Sequence, residues 1–260
     1  VDPYHLTIAL YENAKENGVE FYLETEVVGF NKKRNTVEQV VTDKGALRCG
    51  YVINAAGLYS DEIAEWAGTR EFTIHPRKGV ELLYNKRLED WVDHCLAELT
   101  IPSHPTSKGG GINPTVHGNI MWGPTAVEIE DKGDTSVEKE KIDEIMERYS
   151  TIMPDFPEED FIRYFAGVRA PSFTEDFIIR PAKKVNNLLH VAGIQSPGVA
   201  SAPAVAEYSI EQLKDMGLEF ERDGSFEGKR ESIDRAADMT KDELRKRIEQ
   251  DDSWGNIVCT

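Results

Sequence analysis

Asn54-Ala55-Ala56-Gly57 follows the apolar stretch Tyr51-Val52-Ile53 and precedes a helix-like run over residues 60–68. A turn of small residues between a buried strand and a helix lets another body come close to the backbone. The arrangement recurs downstream. There Leu188-Leu189-His190-Val191-Ala192 leads into Gly193-Ile194-Gln195-Ser196-Pro197-Gly198 and a helical run over 199–216. Between the two, Arg169 ends the apolar run Phe165-Ala166-Gly167-Val168. An arginine there is poorly explained as core, and its planar donor fork suits a carboxylate or phosphate. A surface arginine is the plainer alternative. His75, His104 and His117 are acid–base candidates by type, although such residues are more often structural. The six histidines show no metal-ligand spacing, and the sequence has no G-x-S-x-G elbow.

These residues need elements to hold them. Asp2-Pro3 reads as an N-cap with proline at the first helical position. Leu6, Ala9, Leu10 and Ala14 then share a helical face, ended by Asn17-Gly18. Residues 19–23 alternate like a half-buried strand, with 26–30 and 37–42 as neighbours. Asp43-Lys44-Gly45 is a hairpin signal leading into a strand over 47–53. Residues 72–84 read as two strands around Pro76-Arg77-Lys78-Gly79, and 91–101 is ambiguous. A turn at His117-Gly118-Asn119 precedes the strand Ile120-Met121-Trp122. Thr135 and Glu138 read as a capping box. Val137, Ile142, Ile145, Met146, Tyr149 and Ile152 then form an apolar stripe. Strands are expected at 161–168 and 177–180, and a last helix at 241–250.

At 260 residues the chain is long enough for one large domain or two small ones. Its apolar runs are strand-sized, far short of a membrane span. Cys49, Cys95 and Cys259 are scattered and odd in number, which suits a reducing, cytoplasmic compartment rather than a disulfide framework. The net charge of −17 disfavours nucleic acid as a partner. Residues 128–160 carry thirteen acids against four bases, read as a solvated face with an acidic docking surface as the minority alternative.

The two turns, in this order and more than a hundred residues apart, resemble the late flavin contacts of FAD-dependent oxidoreductases of the D-amino-acid oxidase and glycerol-3-phosphate dehydrogenase superfamily. Phe165-Ala166-Gly167-Val168-Arg169-Ala170-Pro171 resembles that family's A-G-x-R-P element, with Ala170 intervening before the proline. Pro76-Arg77-Lys78-Gly79-Val80-Glu81 resembles a P-R-K-G-E-Y stretch, with Val80-Glu81-Leu82 in place of Glu-Tyr. The resemblance implies an α+β (mixed) fold: part of a FAD-binding domain plus a substrate domain with a mixed β-sheet flanked by helices. It implies FAD-domain segments at 1–70 and 185–216, a substrate domain at 71–184, and a charged linker at 217–260. Trp254-Gly255-Asn256-Ile257-Val258-Cys259 resembles the start of an appended [2Fe–2S] domain, here cut short after one cysteine.

The implied FAD contacts are Val27, Ala55, Ala56, Gly57, Gly193, Ser196, Pro197, Gly198, Val199 and Ala200. Val27 reads equally as an ordinary strand valine. Free N–H groups at the second helix N-terminus would stabilise negative charge on reduced flavin. Arg169, Lys78 and His104 are the implied substrate-binding residues, with Arg77 as the alternative to Lys78 and a solvated Arg77–Lys78 pair as the equal reading, and Gly123-Pro124-Thr125-Ala126 is a pocket wall. Missing is the family's opening G-x-G-x-x-G, which holds the FAD pyrophosphate. Gly109-Gly110-Gly111 runs into Ile112-Asn113-Pro114, which cannot open a helix cleanly. The chain therefore reads as an internal segment of a longer enzyme, cytoplasmic or peripheral at a membrane. The implied reaction is oxidation of a small anionic alcohol, glycerol 3-phosphate first, by hydride transfer to flavin N5. An L-2-hydroxy acid or an amino acid is the alternative substrate. An inactive fragment or a binding module is the alternative of another class. An acceptor protein or quinone, and self-association through an exposed sheet edge, complete the expected partners.

Overall fold

The computed structural model describes residues 2–97, 110–221, 223–230 and 234–256. It divides into two compact units, one formed by residues 1–3 and 22–222, the other by 4–21 and 223–260. The elements in chain order are α1 (Pro3–Glu16), β1 (Val27–Lys33), β2 (Thr36–Thr42), β3 (Gly45–Arg48), β4 (Val52–Asn54) and α2 (Ser60–Trp66). There follow β5 (Arg77–Tyr84), β6 (Gly111–Pro114), β7 (Ile120–Gly123), β8 (Val127–Glu128), α3 (Lys139–Ser150) and β9 (Phe161–Arg169). The last are β10 (Ile178–Pro181), β11 (Leu188–Ala192), α4 (Gly198–Asp215) and α5 (Lys241–Gln250). The fold is thus mixed α and β, as the resemblance implies.

The larger unit holds three sheets. β1-β2-β3 is an antiparallel meander whose second turn, Thr42↔Gly45, is the expected hairpin. β10-β11-β4 pairs β10 antiparallel and β4 parallel to the central β11. In the five-stranded sheet β6-β7-β5-β8, with β9 on the other side of β5, every pairing is antiparallel. The main core lies on one face of this sheet. Val80, Leu82 and Tyr84 of β5 meet Ile112, Ile120 and Trp122 there, with Ile145 and Tyr149 of α3. The expected stripe on α3 is what covers them, since Val137, Ile142, Met146 and Ile152 pack against the same cluster.

Several expectations are corrected. Residues 19–23 form no strand; alternation supplies a face, but a strand also needs a neighbour for its backbone groups. The expected strand over 47–53 is two strands in different sheets. The Asn187 amide accounts for the break, since its Nδ2 donates to the Gly50 carbonyl at 2.7 Å and to the Val37 carbonyl at 2.8 Å. Pro76-Arg77-Lys78-Gly79 is no turn, because Arg77 and Lys78 are buried in β5 and held there by carboxylates. Thr135 caps nothing: α3 begins after Glu138, whose carboxylate is 3.0 Å from Lys78 Nζ. Gly110 and Gly111 serve close packing; a Cβ on the first would lie 2.7 Å from the Gly123 carbonyl, on the second 2.6 Å from that of Leu96.

The smaller unit contains most of α1 together with α5. Asn17 exchanges hydrogen bonds with the backbone of Glu227, both at 2.9 Å, and α5 starts with a capping box of Thr240 and Glu243. Neither helix buries a residue. The reading of Cys259 falls on residues 257–260, outside the described residues.

Candidate functional site

The two small-residue turns leave the same end of adjacent strands. β4 and β11 run parallel with Asn54 opposite His190, so Ala55-Ala56-Gly57 and Gly193–Gly198 emerge side by side. Asn54 Nδ2 donates to the Ser60 carbonyl at 2.7 Å and lies 3.3 Å from His190 Nδ1, which ties the first turn to β11. His190 is fully buried, and its Nε2 has no partner among the described residues. Burial pushes its pKa down to about 4, so the ring is neutral and can accept from Asn54.

Both turns show backbone rather than side chain. Ala55, Ala56, Gly57, Ser196 and Pro197 are exposed, and a Cβ on Gly57 would meet no atom within 4 Å. Gly193 needs its φ of +68°, and a Cβ there would lie 2.9 Å from the Asp176 carbonyl. Gly198 opens α4, followed by the exposed Val199 and Ala200, whose N–H groups precede the first intrahelical bond from Ser201 to the Pro197 carbonyl at 3.0 Å. Side-chain-poor turns beside free helix N–H groups fit a large, partly anionic cofactor such as FAD. Val27 starts β1 in another sheet, paired with Thr42, and is not brought to these turns by any described contact.

The loop at Gln195 is fastened to the five-stranded sheet. Arg77, almost wholly buried, donates from Nη1 and Nη2 to Glu175 at 3.0 and 2.6 Å, from Nη1 to Gln195 Oε1 at 3.3 Å, and also to Glu128. Gln195 Nε2 returns to Glu175 at 2.9 Å. Glu175 holds a φ of +57°, a conformation sustained by these bonds. The carboxylates, Glu175 first, raise the Arg77 pKa further.

Arg169 closes β9 opposite Arg77, and Gly167 lies opposite Gly79. Because Val80, Leu82 and Tyr84 fill the core face, Arg77, Gly79, Glu81 and their partners Arg169, Gly167 and Phe165 occupy the other face. The Arg169 guanidinium lies across Gly79, where a Cβ would come within 2.8 Å of its Cζ. Its Nη1 donates to the Thr125 carbonyl at 3.2 Å, its one hydrogen bond among the described residues. Burial pushes its pKa down, opposed by the nearby Glu81. Glu81 has an enclosed Oε2 without a partner, and burial raises its carboxyl to about 7. A carboxylate inside the apolar run Val80-Glu81-Leu82-Leu83 was the available sequence signal for it.

Lys78 does not join Arg169. It points to the core face, where Asp134 at 2.9 Å and Glu138 at 3.0 Å hold its ammonium, beside a cavity of about 290 Å³. The Asp134 hydrogen bond is the main reason its pKa rises. Two carboxylates of the acidic stretch are therefore structural rather than freely solvated. His104 lies outside the described residues.

Residues 1–212 match the FAD dependent oxidoreductase family. The chain is 35% identical over 259 residues to a glycerol 3-phosphate dehydrogenase of Caloramator mitchellensis, covering 100% of this chain and 53% of that protein. It is 32% identical to the glycerol 3-phosphate oxidase of Mycoplasma genitalium, over 79% of this chain and 51% of the relative. The structure of L-α-glycerophosphate oxidase from Mycoplasma pneumoniae with FAD bound superposes with a TM-score of 0.71 at 25% identity, over 84% of this chain and 56% of that one. The chain thus spans about half the length of the curated relatives it matches. With most of its length matched and its two small-residue turns set side by side, the chain belongs to the FAD dependent oxidoreductase family.

Proposed function

We propose that the protein to which this chain belongs is an FAD-dependent dehydrogenase of a small anionic alcohol, with glycerol 3-phosphate as leading substrate. The observation that carries this is Arg169: a half-buried guanidinium with one hydrogen bond among the described residues, lying over Gly79 on the face of the substrate sheet away from the core. Such a cation is a receptor for phosphate or carboxylate. The likeness to glycerol 3-phosphate dehydrogenase and oxidase relatives favours phosphate. FAD, when bound, supplies the hydride acceptor. The chain's own part is to hold the cofactor through backbone at Ala55, Ala56, Gly57, Gly193, Ser196, Pro197, Gly198, Val199 and Ala200, and the substrate through Arg169. The turns at 55–57 and 193–198 are assigned to the FAD domain and residues 71–184 to the substrate domain. An acceptor protein or quinone, a cytoplasmic or membrane-peripheral location, and self-association along the edge strand β4, where Ile53 is exposed, belong to the same proposal. No helix among the described residues is long and apolar enough to cross a membrane.

The test is steady-state kinetics of the FAD-loaded protein, wild type and Arg169→Lys, with glycerol 3-phosphate and L-2-hydroxyglutarate. Lysine keeps the charge but loses the fork. Loss of a buried anion contact costs about 2–5 kcal/mol, a fall in kcat/KM of roughly thirty-fold or more, with the flavin spectrum unchanged. A variant with wild-type kcat/KM on the preferred substrate would put the anion elsewhere.

A further inference from the structure

Besides Arg169, the face of the five-stranded sheet away from the core holds a carboxyl oxygen with no hydrogen bond among the described residues. Glu81 stands two residues beyond Gly79 on β5, on the same face as Arg169. Its Oε2 is enclosed and unpartnered among the described residues. Arg169 is near enough to act on it electrostatically, yet the two make no hydrogen bond or ion pair among the described residues. A carboxyl whose Oε2 is enclosed and unbonded, and a half-buried guanidinium with a single hydrogen bond, thus face one surface without pairing, and bonding capacity left unsatisfied there is costly. The space beside them is bounded by backbone: Gly79 opposite Gly167, and a Cβ on Gly167 would meet nothing within 4 Å.

We propose that Glu81 is the hydroxyl-recognising half of the substrate site: Arg169 takes the anionic group and the Glu81 carboxyl accepts a hydrogen bond from an alcohol of the same molecule. This rests on the reading of Arg169 as the anion receptor and deepens it. The site then selects a monophosphate or monocarboxylate bearing a free hydroxyl. It disfavours a dicarboxylate, whose second charge would meet Glu81. The charged side chains sharing the face are Arg169, Arg77 and Glu128 of β8 at one end, with Glu175 reaching Arg77 from its loop, and Arg163, opposite Leu83, at the other. The carboxyl, raised by burial to about 7, changes charge within the working range. Ionisation strengthens it as an acceptor for the alcohol and weakens the anion's hold on Arg169.

The experiment uses the full chain with excess FAD, Glu carboxyl carbons and Arg side chains isotopically labelled for NMR. Glu81→Leu and Arg169→Lys assign the two resonances. The probes are sn-glycerol 3-phosphate and propyl phosphate, which carries the same phosphate monoester and no hydroxyl. Both esters are expected to move Arg169. Glycerol 3-phosphate alone should move Glu81 and bind about tenfold or more tighter than propyl phosphate. That ratio should rise between pH 6 and 8, and Glu81→Leu should bring it close to one. Glu81→Gln, which keeps an acceptor, should keep part of the preference and lose its pH dependence. If Arg169 responds to both esters while Glu81 stays silent and the affinities are equal, the Glu81 assignment is overturned and the anion reading stands. If neither resonance moves, both fall.

Discussion

Glu81 carries a cost as well as a use. In the unfolded chain its carboxyl titrates near 4.5; in the fold burial lifts it to about 7. A raised carboxyl binds protons on folding. Its favourable contribution is fully present below the unfolded value and is lost as pH rises through the folded one. Between about pH 4.5 and 7 the chain should lose on the order of 3 kcal/mol through this one residue. Glu81→Gln should therefore unfold at higher urea than wild type at pH 8, with the two converging near pH 4.5. Urea midpoints at the two pH values check this, and equal midpoints at pH 8 would mean the carboxyl is solvated. At the same scale Arg77 shows why a buried cation is not automatically a ligand site. Glu175, Glu128 and Gln195 already satisfy it, whereas Arg169 has one carbonyl.

At the scale of elements, the parallel pair β4–β11 sets the two turns together, and the Asn54–His190 contact is its buried polar clamp. His190 has the opposite pH sign to Glu81. Its folded pKa, about 4, lies below the ordinary 6.5, so its contribution is present above 6.5 and lost as pH falls through 4. Acid should cost the wild type on the order of 3 kcal/mol over that window, and His190→Gln, which cannot titrate, should escape it. Unfolding midpoints of both proteins at pH 7 and pH 4 decide; parallel losses would exclude His190 as the cause. Together the two groups place the stability maximum between about pH 5 and 6 as far as they govern it. The Arg77–Glu175–Gln195 bonds act at this scale too, joining β5 to the loop before α4.

Among the described residues the larger of two apolar clusters lies behind the five-stranded sheet, and the smaller, around Val37, Val185 and Leu188, lies by the strands that lead to the turns. Trp122 is fully buried against Tyr84, Tyr149 and Phe156. Trp122→Ala should destabilise the larger unit by about 3–5 kcal/mol, read from its urea transition. The smaller unit buries nothing in its helices, and helices of this length are marginal without packing. Among the described helices, hydrogen exchange should therefore be fastest in α1 and α5. Cofactor retention is a property of the whole as well. The sequence carries the two small-residue turns proposed to touch FAD but no G-x-G-x-x-G, so the isolated chain should not keep stoichiometric FAD through gel filtration. A yellow, stoichiometric complex would show the two turns sufficient.

What the residues alone determined was local. The α3 stripe, the long α4, the span of α5, the Asp43-Lys44-Gly45 hairpin and the glycine turn between β6 and β7 were legible because near neighbours fix periodicity and turn chemistry. The two small-residue turns were legible for the same reason, and their order gave the family. Tertiary structure decided whatever depends on a distant partner. Residues 19–23 have the alternation of a strand and no ladder. Residues 47–53 divide because β2 and β11 claim different halves. Glu138 leaves the expected capping box because Lys78, sixty residues earlier, is buried beside it. Lys78 and Arg169 looked like partners in sequence, yet the pleat sends adjacent β5 positions to opposite faces, and β9 places Arg169 on the face that Lys78 leaves. That same pleat put Glu81 beside Arg169, a juxtaposition no spacing in one dimension contains.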